Sequence, residues 1–354
     1  MMKIAIVSGG TGGHIYPGIA IAEEIRRRDS RAEILFLGSE EGLEKDLIPR
    51  AKFNLKLIKA RALLRKISYK AISAPFVSAL GFFQALGILR NFSPQALIST
   101  GGYASLPVVL AAGVLRIPIF VQEQNVLPGI TNRICFKFAK KVFLSFESSL
   151  AFARGEVVGN PVRREIIEAD REKARRKLGF SSGEMVVLVM GGSQGARKIN
   201  EAVVAALPLI EETRNIRIFH VVGRRDVNLV NQKLADRKYD FYQRVDYLYN
   251  IAEVLASADL VISRAGATAM AEFFVRGIPM VLIPFPFSAE GHQELNAKAM
   301  AEAGAAIVIN NSDFTAERLV SLLLRKDLDL DRMKSNCRKL AQPKAAEEIV
   351  NALA

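Results

Sequence analysis

A histidine follows a run of glycines near the start of the chain, in the segment IAIVSGGTGGHIYPG at residues 4–18. Residues 4–7 are apolar, as in a strand that is buried on both faces. Pro17 is typical of the first turn of a helix. A strand, a glycine loop and a helix N-terminus can together bind phosphate through main-chain amides. His14 lies beside this loop, where an imidazole could accept a proton near neutral pH.

The glycine loop departs from two common nucleotide-binding motifs. It lacks the Gly-Lys-Ser/Thr that ends the phosphate loop of nucleotide hydrolases. Gly9-Gly10-Thr11-Gly12-Gly13 also does not fit the G-x-G-x-x-G fingerprint of dinucleotide-binding proteins. Taken alone, the loop is equally compatible with a tight turn between a strand and a helix.

The opening pattern is repeated in the second half of the chain. Residues 186–200, VVLVMGGSQGARKIN, again contain an apolar strand, Gly-Gly, a hydroxyl residue and another glycine. Strand-like and helical stretches alternate on both sides of residues 159–161, as is typical of parallel α/β sheets. We therefore predict two doubly wound, Rossmann-like domains, residues 1–160 and 161–354, that face each other across a cleft. The sequence leaves open whether residues 345–354 return to the first domain.

Composition narrows the class of protein. The two cysteines, Cys135 and Cys337, have no metal-site or disulfide spacing, which predicts buried thiols in a reducing compartment. The N-terminus shows no signal-peptide pattern. Basic proteins often bind nucleic acid. Because the chain carries no helix-turn-helix, zinc-finger or ribonucleoprotein motif, we expect no nucleic-acid partner.

The net charge of +13 is concentrated in one stretch. Residues 50–141 contain 14 Lys and Arg residues and a single acid, Glu123, whereas residues 71–89 within them carry no charge. A membrane-spanning helix needs about 20 predominantly apolar residues, and serines, glycines, a proline and a glutamine interrupt this run. A buried helix and an interfacial helix both remain open. In the second case four apolar side chains would enter the acyl boundary of an anionic membrane: Phe76, Leu80, Phe82 and Phe83.

Two loops of the second half suit a nucleotide sugar. Residues 263–273, SRAGATAMAEF, place a glycine turn before a helix whose first amides can face an anion. Glu272 could accept hydrogen bonds from both hydroxyls of a ribose, or it could merely favour the positive end of the helix dipole. In residues 284–300, polar side chains at a helix start could read sugar hydroxyls or cap the helix: His292, Gln293, Glu294 and Asn296.

Seven motifs, in this order, resemble the MurG family of peptidoglycan glycosyltransferases. They are GGTGGHIYPG (9–18), TGGYAS (100–105), QEQNVLPGITNR (122–133), GNPVR (159–163), GGSQGA (191–196), SRAGA (263–267) and HQELNA (292–297). The resemblance extends from residue 2 to about residue 350. It implies the two-domain fold known as GT-B, and an inverting hexosyl transfer without metal or cofactor.

The resemblance also implies the substrates. N-acetylglucosamine would pass from UDP-N-acetylglucosamine to the muramyl 4-hydroxyl of lipid I, undecaprenyl-pyrophosphoryl-N-acetylmuramoyl-pentapeptide, giving lipid II for the cell wall. The enzyme would attach peripherally to the anionic cytoplasmic leaflet of the cell membrane. Two alternatives remain: another GT-B glycolipid synthase, such as a diacylglycerol sugar transferase, and a non-catalytic membrane protein that binds a nucleotide sugar.

Motif positions assign roles to further residues. Glu272 would bind the ribose, and the backbone of Val245 would contact the uracil. The residues expected on the donor side are Thr11, Gly12, Gly13, Asn125, Arg163, Ser193, Val245, Ala267, Thr268, Glu272, His292 and Gln293. The family usually has threonine at the position of Ala269, whereas this chain has its hydroxyl one residue earlier, at Thr268.

The acceptor side carries the candidate bases. The motif positions place Gly102, Tyr103 and Ser105 there. An inverting attack requires removal of the proton of the sugar hydroxyl. His14 is the histidine beside a glycine loop, so we expect it to be the general base, with Glu123 as the second candidate. Main-chain amides at helix starts would stabilise the leaving UDP, with help from a cation such as Arg163.

Overall fold

The computed structural model describes residues 2–61, 69–192, 195–212, 215–235, 237–325 and 328–353, and it leaves the side chains of residues 69–76 undescribed. The chain divides into two compact units. One comprises Met1–Arg164 with Gln342–Ala354, and the other comprises Glu165–Ala341. Each unit is built around an all-parallel sheet, which confirms the predicted class of two doubly wound α/β domains.

In the described part of the first unit, seven parallel strands form the sheet. They are β1 (Lys3–Val7), β2 (Glu33–Ser39), β3 (Asn54–Ile58), β4 (Ala96–Ser99), β5 (Ile119–Glu123), β6 (Lys141–Leu144) and β7 (Glu156–Val157). Their spatial order is β3-β2-β1-β4-β5-β6-β7. The direction of winding therefore reverses between β1 and β4. In open α/β sheets, ligands bind outside the carboxyl ends of the strands at such a point.

Helices cover both faces of this sheet. They are α1 (Gly12–Arg28), α2 (Glu44–Arg50), α3 (Tyr69–Phe92), α4 (Ser105–Val114) and α5 (Ile130–Cys135). The side chains of β1 alternate between two hydrophobic clusters: Ile4 and Ile6 enter one, and Ala5 and Val7 enter the other. Because both faces are buried, the strand is apolar throughout, as its sequence predicts.

The second unit repeats this winding. Its described strands are β8 (Met185–Met190), β9 (Ile216–Val221), β10 (Tyr242–Val245), β11 (Leu260–Ser263), β12 (Met280–Leu282) and β13 (Ala306–Val308). Their order is β10-β9-β8-β11-β12-β13, so the first and fourth strands are again neighbours. The glycine loop after β8 therefore occupies the same topological position as the loop after β1.

The helices of the second part of the chain follow in sequence. They are α6 (Arg164–Glu168), α7 (Arg171–Leu178), α8 (Arg197–Ile210), α9 (Val227–Leu234), α10 (Ala252–Ser257), α11 (Ala267–Arg276), α12 (His292–Glu302), α13 (Ala316–Leu323) and α14 (Leu330–Leu340). The division between the two units falls at the first turn of α6.

The last helix, α15 (Ala345–Asn351), packs on α1 within the first unit. Ile349 and Val350 are buried in the same hydrophobic cluster as Ile21 and Ile25 of α1. The Arg28 guanidinium at the end of α1 donates hydrogen bonds to the Asn351 side chain and to a main-chain carbonyl of α15. The end of the chain is thus part of the first core.

Helix α3, whose side chains are described from residue 77 onward, buries one side against the sheet and exposes apolar side chains on the other. Ala85 and Leu89 are buried against the sheet, whereas Leu80 and Phe83 are 54% and 66% exposed. Phe82 is half-buried and packs against the core. The side chain of Phe76 lies outside the described part of the chain. None of the helices in the described residues is both long and apolar enough to cross a bilayer.

Two glycines of α3 provide a matched test of its packing. A Cβ at Gly81 would lie 2.1 Å from the carbonyl oxygen of Lys59, whereas a Cβ at Gly87 would meet nothing within 4 Å. We expect Gly81→Ala to lower the free energy of unfolding by about 1–3 kcal/mol because the chain must move apart. Gly87→Ala should raise it by about 0.5–1 kcal/mol through helix propensity. The midpoints of urea unfolding measure the effects of both substitutions. Equal effects would contradict the close approach of Gly81 to the Lys59 carbonyl oxygen.

Candidate active site

Two glycine loops interlock at the carboxyl ends of β1 and β4. The Gly9 N–H donates a 3.1 Å hydrogen bond to the Gly101 carbonyl oxygen. Gly102 has a φ of +91°, and a Cβ there would lie only 2.2 Å from the Gly9 carbonyl oxygen. Glycine is therefore required at this position, because main chain contacts main chain. The contact holds the loop before α1 against the loop before α4.

A buried carboxylate supports the first loop from behind. Glu44, at the start of α2, is fully buried, and its Oε1 accepts hydrogen bonds from the N–H groups of Gly10 (2.9 Å) and Ser39 (3.1 Å). The Ser39 hydroxyl bridges this oxygen and the Tyr103 hydroxyl, at 3.0 and 2.8 Å. Burial raises the pKa of Tyr103, so its phenol stays neutral. Glu44 was not among the residues singled out from the sequence.

His14 lies in the first turn of α1, between the ends of three neighbouring strands. Its Nδ1 is 3.1 Å from the Thr100 carbonyl oxygen, after β4, and 2.7 Å from Oε1 of Gln124, after β5. The Thr100 hydroxyl donates to the His14 carbonyl oxygen at 2.8 Å. The imidazole is thus held by its Nδ1 edge. The structure places His14 at the strand ends, as the sequence led us to expect.

Glu123, the second candidate base, is buried under its own loop. Its Oε1 accepts from the backbone N–H and the side-chain amide of Asn125, at 2.9 and 3.2 Å. Its Oε2 accepts from the Gly129 N–H at 3.2 Å and from the Asn132 amide at 2.8 Å. Each oxygen therefore already receives two hydrogen bonds. These contacts favour a role in shaping residues 124–132 over proton transfer.

The other expected residues of the first unit lie at different depths. Thr11 and Gly13 are exposed at the start of α1. Asn125 is half-buried beside Glu123, whereas the Ser105 side chain is fully buried. The Arg163 guanidinium stacks 4.2 Å from the ring centroid of Tyr16, on α1.

In the second unit, the glycine loop after β8 packs on the end of β9. A Cβ at Gly195 would lie 2.6 Å from the Val222 carbonyl oxygen and 3.0 Å from the Asp226 carboxylate. The Asn200 amide, on α8, donates to both of these groups at 2.9 Å. Gly195, at the end of the loop, therefore packs closely against the end of β9. Ser193, which we expect beside the diphosphate, lies outside the described residues.

His220 completes this buried network. It is fully buried, with Nε2 2.9 Å from Asn200 Oδ1 and Nδ1 2.9 Å from the Tyr242 hydroxyl. Burial, and secondarily the positive charge of Arg244, lowers the pKa of His220 to about 3. The imidazole is thus a neutral structural link between β9 and the helix that follows the glycine loop.

Two polar side chains tie together the loops after β11, β12 and β13. The Arg264 guanidinium donates to the carbonyl oxygens of Ile283 (2.9 Å) and Pro284 (3.2 Å), and to Asn311 Oδ1 (2.8 Å). Asn296, fully buried on α12, donates to the Ala265 carbonyl oxygen at 3.1 Å. Asn296 therefore holds the turn before α11. Arg264 is a supporting residue that we did not identify from the sequence.

The other expected donor residues of the second unit lie on β10, α11 and α12. Ala267, Thr268 and Glu272 are buried on α11. Gln293 Oε1 accepts from the Phe285 N–H at 2.9 Å. The Val245 carbonyl oxygen accepts a hydrogen bond from the Val222 N–H at 3.0 Å. Whether these residues bind a nucleotide sugar stays a prediction.

The two sheets, each with a glycine loop at its switch point, have the arrangement in which doubly wound α/β proteins bind nucleotides. Comparison with models of protein families identifies the class of enzyme. Residues 4–144 match the glycosyltransferase family 28 N-terminal domain, and residues 186–351 match the glycosyltransferase family 28 C-terminal domain. The chain therefore belongs to glycosyltransferase family 28.

Relatives match the whole chain. A protein of Desulforamulus reducens, named UDP-N-acetylglucosamine--N-acetylmuramyl-(pentapeptide) pyrophosphoryl-undecaprenol N-acetylglucosamine transferase, is 40% identical over 99% of this chain and 97% of its own length. A protein of the same name from Thermoanaerobacter is 38% identical over 98% of each. The solved structure of Acinetobacter baumannii MurG superposes with a TM-score of 0.77 at 28% identity, covering 100% of this chain and 99% of that one.

The buried imidazole predicts a pH dependence of stability. Above pH 6.5, His220 is neutral in both the folded and unfolded states. Below it, only the unfolded chain gains the proton, so this histidine lowers the free energy of unfolding by about 1.4 kcal/mol per pH unit down to pH 3. We expect His220→Gln to be less stable at pH 7.5 but to lose this part of the slope, in urea unfolding between pH 5 and 8.

Tyr242→Phe is the matched control, since it removes a hydrogen bond to His220 but leaves the imidazole buried. It should keep the wild-type slope. A slope unchanged in His220→Gln would show that the imidazole takes up its proton in the folded state as readily as in the unfolded chain, and would contradict the lowered pKa.

Proposed function

We propose that this protein transfers N-acetylglucosamine from UDP-N-acetylglucosamine to the muramyl 4-hydroxyl of undecaprenyl-pyrophosphoryl-N-acetylmuramoyl-pentapeptide. The relatives at 38–40% identity carry the name of this reaction over nearly the whole length of the chain. The geometry that carries the proposal is the imidazole of His14, held through Nδ1 by the Thr100 carbonyl oxygen and the Gln124 side chain.

The acceptor is assigned to the first unit. The loops before α1 and α4 present main-chain amides, which suit a pyrophosphate. The positive end of the α1 dipole adds to this attraction. The acceptor hydroxyl attacks the anomeric carbon while Nε2 of His14 takes its proton. The bond from that carbon to the UDP oxygen breaks with inversion, so that the products are the disaccharide lipid, UDP and a protonated imidazole.

The donor is assigned to the second unit. The turn before α11 is held by Asn296, and that helix starts with its amides toward the strand ends. Such amides stabilise the charge that develops on the leaving diphosphate. The ribose hydroxyls are assigned to the carboxylate of Glu272, five residues after the first residue of α11. Gln293 and His292 lie at the start of the next helix, where the sugar would be read.

The first test replaces the base. His14→Ala and His14→Asn should lower kcat about 10²- to 10⁴-fold, the contribution typical of general base catalysis. The KM for UDP-N-acetylglucosamine should change little, because His14 belongs to the acceptor side. UDP release with purified lipid acceptor measures both constants, and thermal unfolding checks that the variants are folded.

Glu123→Gln is the comparison variant. It should lower the free energy of unfolding by more than it raises the activation free energy for kcat. The reason is that the carboxylate oxygens accept four N–H hydrogen bonds within the loop. Near wild-type kcat in both His14 variants would remove this histidine from the chemistry. UDP release with diacylglycerol but not with the pyrophosphoryl lipid would indicate another glycolipid synthase. Binding of the nucleotide sugar without UDP release would indicate a non-catalytic protein.

We also propose that the first unit attaches peripherally to an anionic membrane. Leu80 and Phe83 are exposed on α3, which packs against α4. Beside the end of α4, a groove of about 460 Å³ is lined by Phe138 and by the basic residues Arg116, Lys137 and Lys140. Apolar side chains and cations together suit an interfacial contact with anionic lipid.

This contact predicts a defined loss of binding. Leu80→Glu combined with Phe83→Glu should weaken binding to phosphatidylglycerol vesicles at least tenfold, because burial of each apolar side chain contributes about 1.5–3 kcal/mol. Leu209→Glu, an equally exposed leucine (54%) on the second unit, is the control and should bind like wild type. Cosedimentation measures the bound fraction. Equal binding of both variants would place the membrane contact elsewhere.

A further inference from the structure

The hydrogen bonds of His14 determine which of its nitrogens carries the proton. Nδ1 lies 2.7 Å from the side-chain oxygen of Gln124 and 3.1 Å from the carbonyl oxygen of Thr100. Both oxygens are acceptors and carry no hydrogen. Nδ1 must therefore be the donor. In the neutral imidazole the lone pair is then on Nε2, the nitrogen that a general base needs.

The orientation of the Gln124 amide is itself fixed. Gln124 is buried, and its Nε2 donates to the carbonyl oxygens of Thr100 (2.6 Å) and Gln122 (3.3 Å). Turning the amide over would set its oxygen against these two carbonyl oxygens. The side-chain oxygen must therefore face His14. Gln124 thus donates to main-chain carbonyl oxygens through its side-chain nitrogen, and its side-chain oxygen orients the imidazole.

The surrounding backbone keeps the imidazole in this place. Gly101 has a φ of +96°, and a Cβ there would lie 3.0 Å from His14 Nδ1. A side chain at this position would compete with the hydrogen bonds of Nδ1. The Thr100 hydroxyl, which donates to the His14 carbonyl oxygen, fixes the backbone of the first turn of α1. Three strand ends thus converge on one ring edge.

We propose that Gln124 is a positioning residue that holds neutral His14 as the Nδ1–H tautomer, with Nε2 free to accept the proton of the attacking hydroxyl. The proposal rests on the proposed function for its catalytic meaning. Hydrolase triads assign this task to a carboxylate. The neutral amide of Gln124 fixes the tautomer without adding a charge. A carboxylate in its place would repel a pyrophosphate bound at the same loops.

Two substitutions separate this role from a structural one. Gln124→Met keeps the length of the side chain but has no oxygen acceptor. Gln124→Glu keeps an oxygen acceptor toward Nδ1 and, as a neutral carboxylic acid, can still donate to the Thr100 carbonyl oxygen through its hydroxyl. If Gln124 only fills space and supports the loop, the two variants should behave alike. If it orients His14, the glutamate should restore what the methionine loses. Gln124→Leu replaces the methionine variant should the latter not fold.

The first readout is spectroscopic and needs no substrate. The chain has three histidines, so long-range ¹H–¹⁵N spectra of the full-length, ¹⁵N-histidine-labelled protein can be assigned with His14→Asn. In the neutral form, wild type and Gln124→Glu should show His14 protonated at Nδ1, and Gln124→Met should show a mixture of both tautomers. An unchanged Nδ1–H tautomer in Gln124→Met would assign the task to the Thr100 carbonyl and overturn the proposal.

The second readout is kinetic. Gln124→Met should lower kcat about 10- to 100-fold, less than loss of the base itself, while the KM values change less than about threefold. Gln124→Glu should recover to within about tenfold of wild type. Equal kcat in both variants would overturn the proposal. If the wild-type protein transfers no sugar to the lipid acceptor, the proposed function fails, and the tautomer comparison still decides the role of Gln124.

Discussion

Direct contact between two main-chain segments is the constraint on which the first site depends. Gly9 and Gly102 approach so closely that a Cβ at Gly102 would lie 2.2 Å from the Gly9 carbonyl oxygen. This approach sets the start of α1 against the end of β4. It thereby sets His14 against the Thr100 carbonyl oxygen. The glycines thus do more than leave room for a ligand, because they also determine which groups the imidazole can reach.

Both units brace their first glycine loop with a buried acid from the connection that follows the second strand. In the first unit, Glu44 begins α2 and accepts from the Gly10 N–H. In the second, Asp226 precedes α9, accepts from the Asn200 amide and lies beneath Gly195. The internal repeat therefore extends beyond the glycines to the groups that hold them. The bracing holds Gly10 and Gly195 in place, and fixed dipoles stabilise charge more effectively than mobile ones.

The surface charge of residues 50–141 depends on which of their charged side chains are buried and which are exposed. In residues 50–141 the single acid, Glu123, is turned inward and accepts four hydrogen bonds from N–H groups. Most of the cations of this stretch whose side chains the structure describes, such as Arg116 and Lys140, are exposed. The surface of this stretch is therefore positive, which favours anionic lipid and pyrophosphate. Beside the His14 imidazole, the neutral amide of Gln124 occupies a place where a carboxylate would reduce this positive potential.

The sequence by itself determined the two parallel-sheet domains, because buried strands and glycine loops leave local patterns. It also led us to His14, through its place beside a glycine loop. It did not reveal Gln124, Glu44 or Arg264, since their partners are 110, 34 and up to 47 residues away along the chain. It ranked His14 above Glu123 as the candidate base. Only the tertiary structure shows that both oxygens of Glu123 already accept hydrogen bonds, because burial and hydrogen-bond saturation depend on neighbours that chain order does not reveal.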